Sequence, residues 1–211
     1  VRTSKAILRN MIDISTHPAA PFALGIVLAW LAGVRVYLTI FGVGLAGYLG
    51  WMDLPESIAL AKSPVVLGVC GALALVEFLT DKLPGVDSVW DLVHTLVRIP
   101  AGAFLGGIAL PTDGGEASVT GMVLGGTVAA LSHGLKSGTR ALINTSPEPA
   151  SNWTASIAED GLVLAALALA VAHPLWALAL LVVATIAFIV SIVLLYRLAR
   201  HVARRVRAAV A

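Results

Sequence analysis

The stretch GLVLAALALAVAHPLWALALLVVATIAFIVSIVLLY, Gly161–Tyr196, contains no Asp, Glu, Lys or Arg. A helix rises about 1.5 Å per residue, and about 20 apolar residues cross the hydrocarbon of a bilayer, so this run is long enough for two passes. His173-Pro174 supplies the hairpin between them, since a residue before proline tends to leave helical geometry. The rest of the chain has the same character: of its 211 residues 58% are hydrophobic and only 12% charged, with mean hydropathy +0.92. Soluble domains carry roughly 25% charged residues, so this chain lacks the polar surface that water requires. That excludes a soluble enzyme, a nucleic-acid reader and a disordered regulator. The net charge of +2 is too small to imply a polyanionic partner, and the lone Cys70 excludes an intramolecular disulfide framework.

Working outward, four further apolar runs predict spans, giving an all-α, polytopic transmembrane bundle of about six helices. The first covers Phe22 to Leu49, interrupted by Arg35, and the second Ser63 to Thr80, ending in Glu77 and Asp81. The third starts near Ser88 and reaches Leu110 with Pro100 as a kink; the fourth runs from Ser118 to Ile143. Lys and Arg near span ends stay on the cytoplasmic side. Arg2, Lys5 and Arg9 precede the first span, and Arg197, Arg200, Arg204, Arg205 and Arg207 follow the last. Both termini are therefore expected in the cytoplasm of a bacterial inner membrane. The connections with Asp53 and Glu56, and with Asp113 and Glu116, fall outside; those with Lys82 and Arg98, and with Lys136 and Arg140, fall inside.

Residues 1–20 read as an amphipathic interfacial segment, with Ile7, Leu8, Met11 and Ile12 at helical spacing, rather than as a secretory signal. Residues 197–211 read as a basic cytoplasmic tail against anionic headgroups, or simply as a solvated cluster that sets orientation. Between them, residues 21–110 and 111–196 are predicted to be two transmembrane repeats. Gly33-Val34-Arg35-Val36-Tyr37-Leu38 is echoed by Gly138-Thr139-Arg140-Ala141-Leu142-Ile143, and each is followed one helix later by an acidic pair, Glu77 with Asp81 and Glu159 with Asp160. Three spans per half makes the second copy inverted.

An ionised side chain at a helix centre costs about 2.5–3.5 kcal/mol on insertion scales, so the charges within these runs must face each other, water or a ligand. Asp87, Asp91, His94 and Arg98 recur at steps of four, three and four, on one helical stripe. Glu77 and Asp81 share a face, and His133, Lys136 and Arg140 form a third stripe. Arg35 is the most isolated charge and is expected to be the deepest. Two segments break the helical pattern where charges concentrate: Asp81–Asp87 with Pro84-Gly85, and Asn144–Trp153 with Pro147 and Pro149. They read either as broken or re-entrant segments lining a cavity or as ordinary loops capped at Asp87 and Ser151.

These residues carry a resemblance. Gly33-x-Arg35-x-Tyr37-Leu38-Thr39, Glu77 through Asp87, Trp90-Asp91 with His94-Thr95, Arg98 with Pro100-Ala101-Gly102-Ala103, and Asn144 through Pro149 with Ser151-Asn152-Trp153 and Glu159-Asp160 are similar to a bacterial membrane family, domain of unknown function four-one-two-six. The resemblance covers about residues 22 to 196. It implies a membrane protein and no particular substrate or catalytic assignment.

Three functions compete. The first is a small transporter or channel whose substrate or ion site draws on Arg35, Glu77, Asp81, Asp87, Asp91, His94, Arg98, Arg140, Asn144, Glu148, Asn152, Glu159 and Asp160. There the carboxylates bind a proton or cation, and the arginines hold counter-charges or an anionic substrate; His94 could relay protons. The second is an intramembrane lipid-phosphate enzyme or carrier, because Glu77-Phe78-Leu79 before a Pro-Gly turn resembles a fragment of undecaprenyl-pyrophosphate phosphatases. Glu77 or His94 would then be base or nucleophile, with Arg35, Arg98 and Arg140 clamping phosphate. The third is a structural or accessory subunit, in which Gly102 and Gly106, Gly121 and Gly125, and Gly134 and Gly138 let backbones approach. Such pairs are equally expected inside a monomer, so homo-oligomerisation stays open. Asp87, Asp91 and His94 have metal-ligand chemistry, but a buried hydrogen-bond network explains them more simply, so no metal and no cofactor is expected. The expected partners are the lipid bilayer and a small ion or solute, without nucleic acid.

Overall fold

The computed structural model describes residues 17, 19–52, 54, 56–83, 85–109, 117–145 and 149–210. Among these the chain is helical, with six α-helices and no strand. They are α1 (Ala20–Tyr48), α2 (Pro64–Thr80), α3 (Val86–Ala109), α4 (Val119–Ile143), α5 (Pro149–Ala172) and α6 (Pro174–Val210), and a 3-10 segment covers Glu56–Lys62. The all-α expectation and the helix number hold. Four segments are long and apolar enough to cross a bilayer: Ala20–Tyr48, Val86–Ala109, Ala150–Ala172 and Pro174–Leu194. The second predicted span is the shorter 17-residue α2, and the fourth forms α4, whose lower half carries Lys136 and Arg140. The interfacial reading of residues 1–20 lies almost wholly outside the described residues.

Local chemistry sets the helix ends. Pro64 opens α2 behind Ser63, whose side chain accepts from Val66 N at 3.3 Å, and Ser118 does the same for α4 through Gly121 N at 3.3 Å. Proline opens α6 immediately after the His173 connection. Pro100 lies inside α3, which continues through it.

The chain divides into two compact units, residues 1–178 and 179–211. The second is helical to Val210. In the first, α1 is the central element: it packs against α2, α3, α4 and α5, while α3 and α4 form the most extensive pair. That pair touches backbone to backbone. A Cβ on Gly106 would fall on the Gly121 carbonyl oxygen, and one on Gly125 on that of Gly102. The two glycine pairs thus interlock inside the chain, whereas Gly134 and Gly138 face open space.

The arrangement of polarity inverts that of a water-soluble helix bundle. On α3, Asp87, Asp91, His94 and Arg98 are buried, while Val89, Leu92, Val93 and Leu96 are exposed, Leu96 at 81%. Leucine outside and charge inside is the distribution that hydrocarbon solvent selects. These apolar helices mark the chain as a membrane protein.

One feature of α1 is absent from the sequence pattern. Arg35 has φ −144° and ψ 80° in the middle of the helix, so Ala20–Tyr48 is two helical pieces joined at a break. A break frees carbonyls that lipid cannot satisfy. The side chains of α4 bind main-chain carbonyls on the leading side of the break: Ser132 Oγ donates to Trp30 O at 2.8 Å, and Lys136 Nζ to Val34 O at 3.3 Å. Thr39 Oγ1 donates to Arg35 O at 2.7 Å. The lysine also sits where the helix dipole of the first piece ends, which favours a cation.

Candidate functional site: a buried network of charge

The three sequence stripes and the acidic pair of α5 meet in one network beside the α1 break. Arg98 Nη2 reaches Glu77 Oε1 at 2.5 Å and its Nη1 reaches Asp91 Oδ1 at 2.6 Å. Asp91 Oδ1 is 3.2 Å from Lys136 Nζ, which is 2.9 Å from Asp81 Oδ2. Asp81 Oδ2 also faces Arg35 Nη1 at 2.5 Å and Arg140 Nη2 at 3.7 Å. Arg35 extends to Asp160 Oδ1 at 2.9 Å and Glu159 Oε2 at 3.6 Å, and Arg140 donates to both Glu159 oxygens at 3.2 and 2.8 Å. Arg35, Glu77, Asp81, Asp91, Arg98 and Arg140 are all fully buried; Glu159 and Asp160 form the more open rim, with side chains 18% and 15% exposed.

Arg35 is therefore buried, as completely as Arg98 and Arg140, and it is not isolated. Asp81, at the end of α2, bridges three cations, and the α1 break turns Arg35 toward it. Removing such charges from water singly would cost several kcal/mol each, and mutual pairing offsets this. The pairing has a specific imbalance: the linked set holds four cations, Arg35, Arg98, Lys136 and Arg140, against five carboxylates, Glu77, Asp81, Asp91, Glu159 and Asp160. Among the described residues, Glu77 Oε2, Asp81 Oδ1, Asp91 Oδ2 and Asp160 Oδ2 receive no hydrogen bond.

Two histidines flank the network with defined tautomers. His133 Nδ1 accepts from Arg98 Nη1 at 3.0 Å, because a guanidinium only donates, so its proton is on Nε2 and is given to Thr95 Oγ1 at 2.7 Å. Thr95 in turn donates to Asp91 O at 3.0 Å. His94 donates from Nδ1 to Trp90 O at 2.8 Å, stacks on Trp90 at 4.0 Å between ring centroids and meets Tyr37 edge-on at 5.6 Å. His94 thus lies beside the network, without an ion pair to it among the described residues.

Asp87, Asn144 and Asn152 form a separate polar joint. Asp87 Oδ1 accepts from Gly85 N at 2.9 Å and Ser88 N at 2.7 Å, capping α3. Asn144 Nδ2 donates to Asp87 Oδ1 and Oδ2 at 2.9 and 3.0 Å, and Asn152 Nδ2 donates to Asn144 Oδ1 at 2.8 Å. Arg140 Nη1 then donates to Asp81 O at 3.0 Å and Asn152 O at 3.3 Å. The two segments that break the sequence pattern are thereby tied to each other; Asp87 and Ser151, the caps of the plainer loop reading, both lie inside helices, which open at Val86 and Pro149. Glu148 lies outside the described residues.

Sequence reasoning passed over Lys82, Ser132 and Ser156 as site residues and left Lys136 and His133 as parts of a stripe. Lys82, Arg98, Lys136 and Arg140, the bases of the connections expected on the inside, all have buried side chains. Lys136 and Arg140 lie on a different helix from Asp91 and from Asp81, so their spacing gave no signal of contact. Lys82 Nζ donates to Phe78 O at 2.9 Å and Ser156 Oγ at 3.4 Å and sits over the Phe78 ring, with Trp153 beyond. Burial pulls this ammonium below the ordinary lysine range; Asp160 and Asp81 oppose that, and Arg35 and Arg140 add to it. Among the described residues no group of three or more His, Cys, Asp or Glu is placed to hold a metal ion.

The fold and the site together define a polytopic helical membrane protein built around buried, mutually compensated charge. The family described as domain of unknown function, DUF4126, matches residues 22–194, and the chain belongs to it. No curated protein and no solved structure matches the chain.

Proposed function

We propose that the protein is a small transporter or channel that carries a monovalent cation, or a solute coupled to a proton, through the charge network. The observation that carries this reading is the surplus carboxylate in a continuous set of nine ionisable side chains, seven of them buried and two at the rim. Uncompensated charge in hydrocarbon is costly, so this ion-paired set favours one positive charge beyond its own four cations. The α1 break at Arg35 supports the same reading, since discontinuous helices mark the binding sites of transporters, and here Val34 O at the break already holds the Lys136 ammonium. Glu77, Asp81, Asp91, Glu159 and Asp160 form the cation side of the site. Arg35, Arg98 and Arg140 are its fixed counter-charges, Asp87, Asn144 and Asn152 its closing joint, and His94 a neighbouring proton acceptor at Nε2. A lipid-phosphate enzyme is less well supported, because each of the three arginines is already engaged by carboxylates, which phosphate would have to displace.

Arg35 and Arg140, the two echoed arginines, each face both Asp81 and Glu159. That cross-pairing supports an inverted repeat with its boundary near residue 111. The terminal arginine and lysine clusters support cytoplasmic ends in a bacterial inner membrane.

The test is flux of sodium, lithium, potassium or protons in proteoliposomes. Glu77→Gln and Glu159→Gln should each abolish it while the purified variants keep the wild-type helical content and elution profile. Wild-type flux in both well-folded variants would remove the network from the mechanism.

A further inference from the structure

Of the five buried lysines and arginines in the described residues, Lys82 alone has no carboxylate at salt-bridge distance. Its partners are uncharged: a backbone carbonyl, the Ser156 hydroxyl and two aromatic rings. It is nevertheless coupled to the network. Ser156 Oγ accepts from Lys82 Nζ at 3.4 Å and from Arg35 Nη2 at 3.2 Å, so one hydroxyl separates the ammonium from the guanidinium that holds Asp81 and Asp160. The linked set of four cations and five carboxylates becomes neutral when the Lys82 ammonium is counted with it.

We propose that Lys82 is the exchangeable counter-charge of this network: a monovalent cation entering from the Glu159–Asp160 rim displaces the proton of Lys82, one for one. In that step an Nζ–H bond breaks, the electron pair stays on nitrogen, and the proton leaves to water. The cation supplies the positive charge that the fifth carboxylate requires, so the total charge inside the bundle is unchanged.

Three observations converge on this assignment. Asp160 Oδ2 receives no hydrogen bond and its side chain lies on the open rim; the fully buried Asp81 Oδ1 and Glu77 Oε2 are also free to accept a cation. The groups facing Lys82 are Asp160 on α5, Asp81 on its own connection, Arg35 on α1 and Arg140 on α4, two of each sign. They leave the ammonium held mainly by burial-sensitive neutral contacts, and lysine, unlike arginine, gives up its proton when so placed. The direction of the Lys82 titration agrees with this. The proposal rests on the cation-transport reading and is tested apart from it.

Purified protein in nanodiscs of neutral lipid, in weak buffer with a pH-indicator dye, receives sodium, lithium or potassium chloride, with choline chloride as control. Wild type should release about one proton per chain with at least one of the three ions. Lys82→Met and Lys82→Arg should release none, the arginine because it keeps its proton. Release that persists in well-folded Lys82→Met, or no release from wild type with any ion, overturns the proposal. Where the variants do not fold, wild type alone decides: amine acetylation of Lys82, followed by mass spectrometry, should speed up when the ion is added, and an unchanged rate overturns it. Flux that continues in Lys82→Met with unaltered proton release leaves transport standing and removes Lys82; absent flux in wild type removes transport while the dye still judges Lys82.

Discussion

Replacing Arg98 by methionine takes away the guanidinium that Glu77 and Asp91 share. Glu77, 1% exposed, then faces no cation in the described network, while Asp91 keeps Lys136 at 3.2 Å. Removing one partner of a buried ion pair costs about 3–5 kcal/mol, and His133 Nδ1 loses its donor in the same step. At about 1.4 kcal/mol per factor of ten, the folded-to-unfolded ratio should fall by roughly a hundredfold to a few thousandfold. The second variant, Glu77→Gln with Arg98→Met, removes the stranded charge together with its partner. It should be more stable than the sum of the single changes allows, by about 1–3 kcal/mol, as expected for residues in contact. Unfolding by dodecyl sulfate in mixed micelles, followed through tryptophan fluorescence, measures all four proteins of the cycle. Strict additivity would falsify the claim that Arg98 is retained to hold Glu77, and with it the account of the network as a coupled unit.

Two further outcomes follow from the packing. Gly106→Ala places a methyl group on the Gly121 carbonyl and 2.7 Å from Gly125 Cα, so it should destabilise the α3–α4 pair by about 1–3 kcal/mol. Gly138→Ala meets nothing within 4 Å and should be neutral or stabilising, by up to about 1 kcal/mol, through helix propensity; equal effects in the same unfolding assay would contradict the interlocked geometry. Asn144→Ala deprives Asp87 of two hydrogen bonds and Asn152 of its acceptor, a loss of about 1–3 kcal/mol. Amide hydrogen exchange across residues 81–88 should accelerate, and unaltered protection there would show that the joint does not tie the two connections.

Period and composition made much of this legible. Asp87, Asp91, His94 and Arg98 fall on one helical stripe, so once the chain is assigned to lipid their shared burial follows from the cost of charge in hydrocarbon. The polar character of the 81–87 and 144–153 segments was likewise legible in the prolines and amides clustering there, but their tie to each other was not. What periodicity could not supply is contact between helices: nothing in the spacing of Lys136 says that it reaches Asp81 and Asp91. Lys82 was passed over for a related reason, because nothing in a lysine beside a Pro-Gly turn shows that Phe78, Trp153 and Ser156 surround it. The break at Arg35 has no proline or glycine pair of its own to announce it. It is imposed by tertiary partners, the two α4 side chains that accept custody of the Trp30 and Val34 carbonyls.

That custody has a mechanical consequence. Ser132 and Lys136 bind the leading half of α1 to α4 through its main chain, and α4 is in turn locked to α3 by contacting backbones. These three segments must travel together as one block. Under the proposed transport, a motion that exposes the interior alternately to the two sides would pivot at residue 35, where α1 is already broken. The arginine at that pivot would lose or exchange its acidic partners at every stroke, so the hinge and the charge relay would be the same residue.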